Sequence, residues 1–168
     1  MNQKEFIQII NPFKSKLFRI AKRMLVSVEE AEDATQEVLF KLWKNNETLE
    51  KLNNIEAFAT TMIKNQCLDV LSSKRAGLST LTHTNYEDNS LSINKIIENN
   101  DHLYWINKII DELPMQQKLI VQLRDIEEQE FAEIAKIVDM NETAVRVALS
   151  RARKTIKEKM QNIQNYGS

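Results

Sequence analysis

Glycine and proline are scarce: 2 of each in 168 residues, where average usage gives about 12 and about 8. Gly-rich phosphate loops, dinucleotide fingerprints and turn-dense β-sandwiches need glycines this chain lacks. One cysteine, Cys67, excludes an internal disulfide and fits a reducing compartment. The N-terminal MNQKEFIQII lacks the basic n-region and apolar run of a signal peptide. No uncharged apolar stretch approaches about 18 residues, so no membrane span is expected, and the expected location is the cytoplasm. Hydrophobic residues make up 42% and charged residues 28%, enough to build a core. Leu, Ile, Lys, Glu and Ala fill long uninterrupted stretches. The expected fold class is all-α.

The net charge of −1 hides a segmental polarity. Residues 14–23 carry Lys14, Lys16, Arg19, Lys22 and Arg23 without an acid. Residues 29–37 carry Glu29, Glu30, Glu32, Asp33 and Glu37 without a base. Seven acids oppose Lys136 in residues 125–142, and residues 143–157 carry Arg146, Arg151, Arg153, Lys154 and Lys157 without an acid. The first basic run reads as an ordinary solvated face. The acids of 125–142 have no metal-ligand loop spacing and read as a solvated face or a surface for a basic partner.

Apolar spacing of three and four residues runs from about residue 5 to 74 and again from about 101 to 163. Pro12 is expected in the first turn of a helix continuing through Met24. Ser27 to Glu30 reads as a capping box opening a helix at Val28 that stops at Asn45. Residues 46–54 read as a loop, and Asn54 as the N-cap of a helix to about Arg75. Residues 76–92 lose the helical period, contain Gly77 and are rich in Ser, Thr and Asn. The expected domains are therefore 1–75 and 101–163, joined by a linker over 76–100. In the second, Pro114 opens a helix through Leu119 and Leu123, followed by helices over about 128–138 and 141–161.

These last two helices have a helix-turn-helix layout. Phe131, Ile134, Ala135 and Val138 face inward, and the turn is Asp139-Met140-Asn141. Val145, Leu149, Ala152 and Ile156 are buried at spacings of four, three and four. Asp139 stands where such turns often carry glycine, and Asp tolerates the left-handed region. The opposite face of the second helix carries Arg146, Ser150, Arg153, Lys154 and Lys157, a pattern suited to the DNA major groove. A basic face alone is weak evidence; the tight turn and the unmixed basic run favour DNA binding.

The helix from Val28 presents Asp33, Gln36, Glu37, Phe40 and Lys44 on its polar face, with Trp43 at the edge. Spacing supports a packing contact and a partner surface with an aromatic anchor equally. Cys67 reads as a small core residue. His83 and His102 have no metal-ligand spacing. No nucleophile, base and orienting group occur together, so neither an enzyme, a cofactor nor a metal is expected.

The segments AEDATQEVLFKLW (31–43), AFATTMIKNQCLDVLSSKR (57–75) and LPMQQKLIVQLRDIEEQEFAEIAKIVDMNETAVRVALSRARK (113–154) resemble regions 2 and 4 of an extracytoplasmic function sigma factor of the sigma-70 family. The resemblance implies two helical domains in a promoter-specificity subunit of bacterial RNA polymerase. It implies that Asp33, Gln36, Glu37, Phe40 and Trp43 dock on the polymerase core, which contributes its β and β′ subunits. Lys64, Asn65, Asp69, Lys74 and Arg75 would meet −10 promoter DNA, and the loop 46–54 would capture a flipped base. The helix bearing Thr143, Arg146, Ser150, Arg151, Arg153, Lys154 and Lys157 would read the −35 element. Val147-Ala148 stands where relatives often have Ser-Arg, so −35 preference does not transfer. The implied partners are core polymerase, promoter DNA and an anti-sigma factor, often membrane-anchored, with no small-molecule substrate. The acidic linker residues Glu87, Asp88, Glu98 and Asp101 would thread the RNA-exit path. A stand-alone helix-turn-helix regulator is the first alternative, though no dimer interface or effector pocket is legible; a helical adaptor that binds only protein is the second.

Overall fold

A computed structural model describes residues 1–78 and 101–166. The expectations for the linker, including His83, Glu87, Asp88, Lys95 and Glu98, lie outside the described residues. All regular elements among the described residues are helical. They run α1 Gln3–Leu25, α2 Val28–Lys44, α3 Asn46–Leu49, α4 Ile55–Leu78, α5 Asp101–Glu112, α6 Met115–Val121, a π-helical turn Gln122–Ile126, α7 Phe131–Val138 and α8 Glu142–Tyr166.

Local chemistry explains most of the boundaries. Asn2 caps α1 by accepting from Glu5 N at 2.8 Å, and Glu5 reciprocates on Asn2 N. This box starts the helix nine residues before the point expected from Pro12. Pro12 therefore sits inside α1 rather than in its first turn. Its missing N–H removes one ladder bond, from the Gln8 carbonyl, and its ring lies on an exposed face. Ser27 caps α2 on Glu30 N, but Glu30 pairs with Lys74 instead of completing a box. Asn54 accepts from Ala57 N at 3.0 Å, as expected. The expected loop at 46–54 contains the single turn α3. Helix α4 continues through Gly77 to Leu78, beyond the end expected at about Arg75. Nothing lies within 4 Å of where a Gly77 Cβ would stand, so its lack of a side chain meets no packing demand.

Helices α1, α2 and α4 pack around Leu17, Ile20, Met24, Val38, Leu42, Ile63 and Cys67. The C-terminal helices close on Ile120, Leu123, Ile134, Val145, Leu149 and Ala152. Buried apolar side chains form one continuous cluster through both halves.

Of the α1 basic run expected to be solvated, Lys14 and Lys22 are exposed, while Lys16, Arg19 and Arg23 make ion pairs. Lys16, 8% exposed, meets Glu56 of α4 at 3.0 Å within the first half. Arg19 forks onto Glu127 at 2.9 and 2.6 Å. The Arg23 side chain, 9% exposed, donates to Gln122 Oε1 (2.9 Å), Asp111 Oδ1 (2.8 Å), Asn107 Oδ1 (2.8 Å) and Asn107 O (3.4 Å). Lys64 Nζ of α4 donates to Ile137 O near the end of α7 at 2.7 Å. Helical spacing places Arg19 and Arg23 on one face but does not say that a second set of helices meets it.

Two mutational outcomes follow. Arg23→Ala removes the cation that these partly buried acceptors share, and it is expected to cost about 2–3 kcal/mol, read as a lower denaturant midpoint. Val26 ends α1 at φ 54° and is 51% exposed. A β-branched side chain is strained there, so Val26→Gly is expected to raise stability by about 1 kcal/mol, measured by the same unfolding titration.

Candidate nucleic-acid interface

The helix-turn-helix is built as its sequence pattern requires. Asp139 ends α7 in the left-handed region, at φ 56° and ψ 51°, and donates its N–H to Ala135 O. Met140 N also reaches Ala135 O, at 3.0 Å. Asn141 then accepts from Ala144 N at 2.8 Å and starts α8. Val145, Leu149 and Ala152 are buried and Ile156 partly so. Ile137, rather than Val138, is the deeply buried residue at the end of α7, because the helix rotates Val138 toward the turn.

All of Thr143, Arg146, Ser150, Arg151, Arg153, Lys154 and Lys157 are exposed on α8. They are not equally free. Arg153 donates through Nε to Asp125 at 3.1 Å and through a second nitrogen to the other carboxylate oxygen. That hydrogen-bonded carboxylate raises the Arg153 pKa. Arg146 lies with Cζ 4.0 Å from the Phe131 ring centroid, and Arg124 lies 4.2 Å from the same centroid. Sequence spacing places Phe131 inward and says nothing of Arg124 or Asp125. The signal available was the Leu-Arg-Asp stretch before α7, but the π-helical turn that aims it has no sequence signature. Val147 is 43% exposed and Ala148 9%, so only the first stands on the face that would meet DNA.

On α2, Asp33, Gln36, Glu37 and Phe40 are exposed, Phe40 by 59%. Trp43 differs: it is half-buried and meets Phe6 of α1 edge-on, with centroids 5.2 Å apart. The packing contact and the open surface are therefore both present on one helix, divided between Trp43 and Phe40.

On α4 the candidate residues separate. Asn65, Asp69 and Arg75 are exposed. Lys64 is turned onto the Ile137 carbonyl and Lys74 onto Glu30. Phe58 is 41% exposed and shares the Asn65 and Asp69 face at spacings of seven and four. Sequence reasoning missed it; an aromatic at an otherwise polar helical position was the signal. Cys67 points the other way, fully buried, and desolvation pushes its thiol up to about 12. Among the described residues no His, Cys, Asp and Glu group is placed to hold a metal, and no helix is long and apolar enough to cross a membrane.

The arrangement offers a helix-turn-helix with an outward basic face, an aromatic and amide face on α4, and an exposed phenylalanine among charges on α2. Comparison with known proteins identifies the family and the fold. The family model described as Sigma-70 region 2 matches residues 9–77, and that described as Sigma-70, region 4 matches residues 103–156. The chain is 21% identical over 172 residues to the ECF RNA polymerase sigma factor SigW of Bacillus subtilis (strain 168), covering 96% of this chain and 92% of the relative. The fold is similar to that of the sigma factor RpoE in complex with the anti-sigma factor NepR from Bartonella quintana. The TM-score is 0.75 at 18% identity, covering 94% of this chain and 98% of the other. It is also similar to CnrH in complex with the cytosolic domain of CnrY, with a TM-score of 0.67 at 15% identity, covering 96% and 90%.

Burial of Cys67 has a measurable consequence. The thiol reaches about 12 in the folded chain and about 8.5 when unfolded. The unfolded state therefore sheds its proton first, and stability is lost as pH rises from about 9 toward 12. At neutral pH a thiol-reactive chromogenic disulfide is expected to label the native chain negligibly and the denatured chain fully.

Proposed function

Because the chain belongs to the sigma-70 family, as an alternative sigma factor of the extracytoplasmic function type that directs bacterial RNA polymerase to promoters, we propose that its two halves divide this work. Residues 1–75 form the region 2 domain, residues 76–100 the linker and residues 101–163 the region 4 domain. The region 2 half grips core polymerase through Asp33, Gln36, Glu37 and Phe40 of α2, and Trp43 holds that helix against Phe6. It engages the −10 element through the α4 residues Lys64, Asn65, Asp69, Lys74 and Arg75. The exposed Phe58 adds a surface on which an unpaired base stacks. The region 4 half reads the −35 element with Thr143, Arg146, Ser150, Arg151, Arg153, Lys154 and Lys157 of α8.

The observation that carries this reading is the exposure of all seven of those residues on α8, a helix whose start is set by Asn141 and the Asp139 turn and whose other face is buried. The groove-facing turns would meet base edges and the later lysines phosphates. Family members are initiation factors rather than catalysts, and no cofactor chemistry is assigned. Two of the similar structures are complexes, one with the anti-sigma factor NepR and one with the cytosolic domain of CnrY; an anti-sigma factor, membrane-anchored in its own right, is the regulatory partner proposed here. The site of action is the cytoplasm, where promoter and polymerase meet.

Run-off transcription with core polymerase, followed by sequencing of start sites, tests the reading. The expected result is a defined promoter class that core alone does not transcribe; absence of any complex with core at modest salt would overturn it. Phe40 marks the anchor of the docking face. Replacing Phe40 and Gln36 together with Ala is expected to weaken core binding at least tenfold with unchanged helical circular dichroism.

A further inference from the structure

Arg146 and Arg153 stand on the same exposed face of α8, yet they are held by opposite chemistry. Arg153 is forked onto the Asp125 carboxylate. Its charge is offset, and two of its donors are in use. Arg146 meets no carboxylate within ion-pair distance among the described residues and makes no hydrogen bond there. Its contact is the face of Phe131, 4.0 Å from guanidinium carbon to ring centroid. A guanidinium held over a ring by this attraction makes no conventional hydrogen bond to it, so its N–H donors stay available. The ring thus restrains the side chain without neutralising it and without using its fork.

The rest of the local structure supports the ring in that task. Phe131 is the first residue of α7 and is partly buried against the core, so its ring is anchored on the helix that packs beside α8. Arg124 approaches the same ring at 4.2 Å and is itself tied to Gln129 O at 2.8 Å. The π-helical turn Gln122–Ile126 carries Arg124 and Asp125 to this corner. Two guanidinium groups share one aromatic side chain at the entrance of the helix-turn-helix.

We infer that Phe131 is a positioning residue for promoter reading: it presents the Arg146 guanidinium, ordered and with its donor fork unspent, to the edge of a −35 base. The inference rests on the −35 role proposed for α8. An arginine pre-ordered in this way loses less side-chain freedom when it forms a bidentate bond. The benefit therefore falls on the base that Arg146 meets and not on DNA affinity in general.

The test is transcription by core polymerase with the full chain on templates that carry a start site mapped for this factor and a randomised −35 segment, sequenced to give the base preference at each position. Arg146→Ala is expected to flatten the preference at one or two positions. Phe131→Leu keeps the apolar packing but removes the ring, and is expected to lower the preference at those same positions about fivefold. Phe131→Tyr is expected to retain it, and Phe131→Leu to add nothing in an Arg146→Ala background. If Phe131→Leu does not fold by circular dichroism, Phe131→Met takes its place. A preference unchanged by loss of the ring, while Arg146→Ala flattens it, overturns the inference. So does a uniform fall over all templates, which would mark Phe131 as a packing residue. If Arg146→Ala itself leaves every preference intact, the reading role of Arg146 fails first, and the positioning role falls with it.

Discussion

A guanidinium taken out of water must find acceptors, and among the described residues Arg23 finds its side-chain partners in the other half of the molecule. Its acceptors are side chains and a carbonyl from α5 and the π-helical turn. No residue of α1 or α2 substitutes for them. Arg19 repeats the arrangement a turn earlier, against Glu127, whose own side chain is 4% exposed. The seam between the halves thus carries charge geometry as well as apolar contact. Apolar surfaces tolerate sliding; a forked guanidinium against a fixed carboxylate does not. Together with the shared apolar cluster, this lock joins the half that carries α4 to the half that carries α8.

The same electrostatics explain why a chain with net charge −1 suits DNA. Of the acids in 125–142, Glu127 pairs with Arg19 and Asp125 with Arg153, while Glu128, Glu130, Glu133, Asp139 and Glu142 stay exposed. The outward face of α8 keeps its sign because residues 143–157 carry no acid and leave Lys154, Lys157 and Arg151 exposed. Field at a surface follows the charges that are left unpaired there, not the sum over the chain.

Much of this was legible beforehand because it is local. The turn at Asp139, the cap at Asn54, the start of α2 at Ser27 and the inward set Val145, Leu149 and Ala152 each depend on residues within a few positions of one another. Pro12 misled because proline is a frequent first-turn residue, whereas the competing start signal, Asn2 with Glu5, lies in the chain's first few residues. The basic run of α1, the Lys64 contact with Ile137 and the ring shared by Arg124 and Arg146 were illegible for a different reason. They join residues separated by 7 to 108 positions, and helical periodicity reports only which way a side chain points, never what it meets.

Cys67, sealed in the α4 core and the chain's sole thiol, makes the protein a ready background for fluorescent labelling. Cysteines introduced at exposed sites on α2 and α8 would accept dyes while the native thiol stays silent, without any prior deletion. The distance between the two halves thus becomes observable by energy transfer, molecule by molecule, as the factor meets polymerase and then promoter.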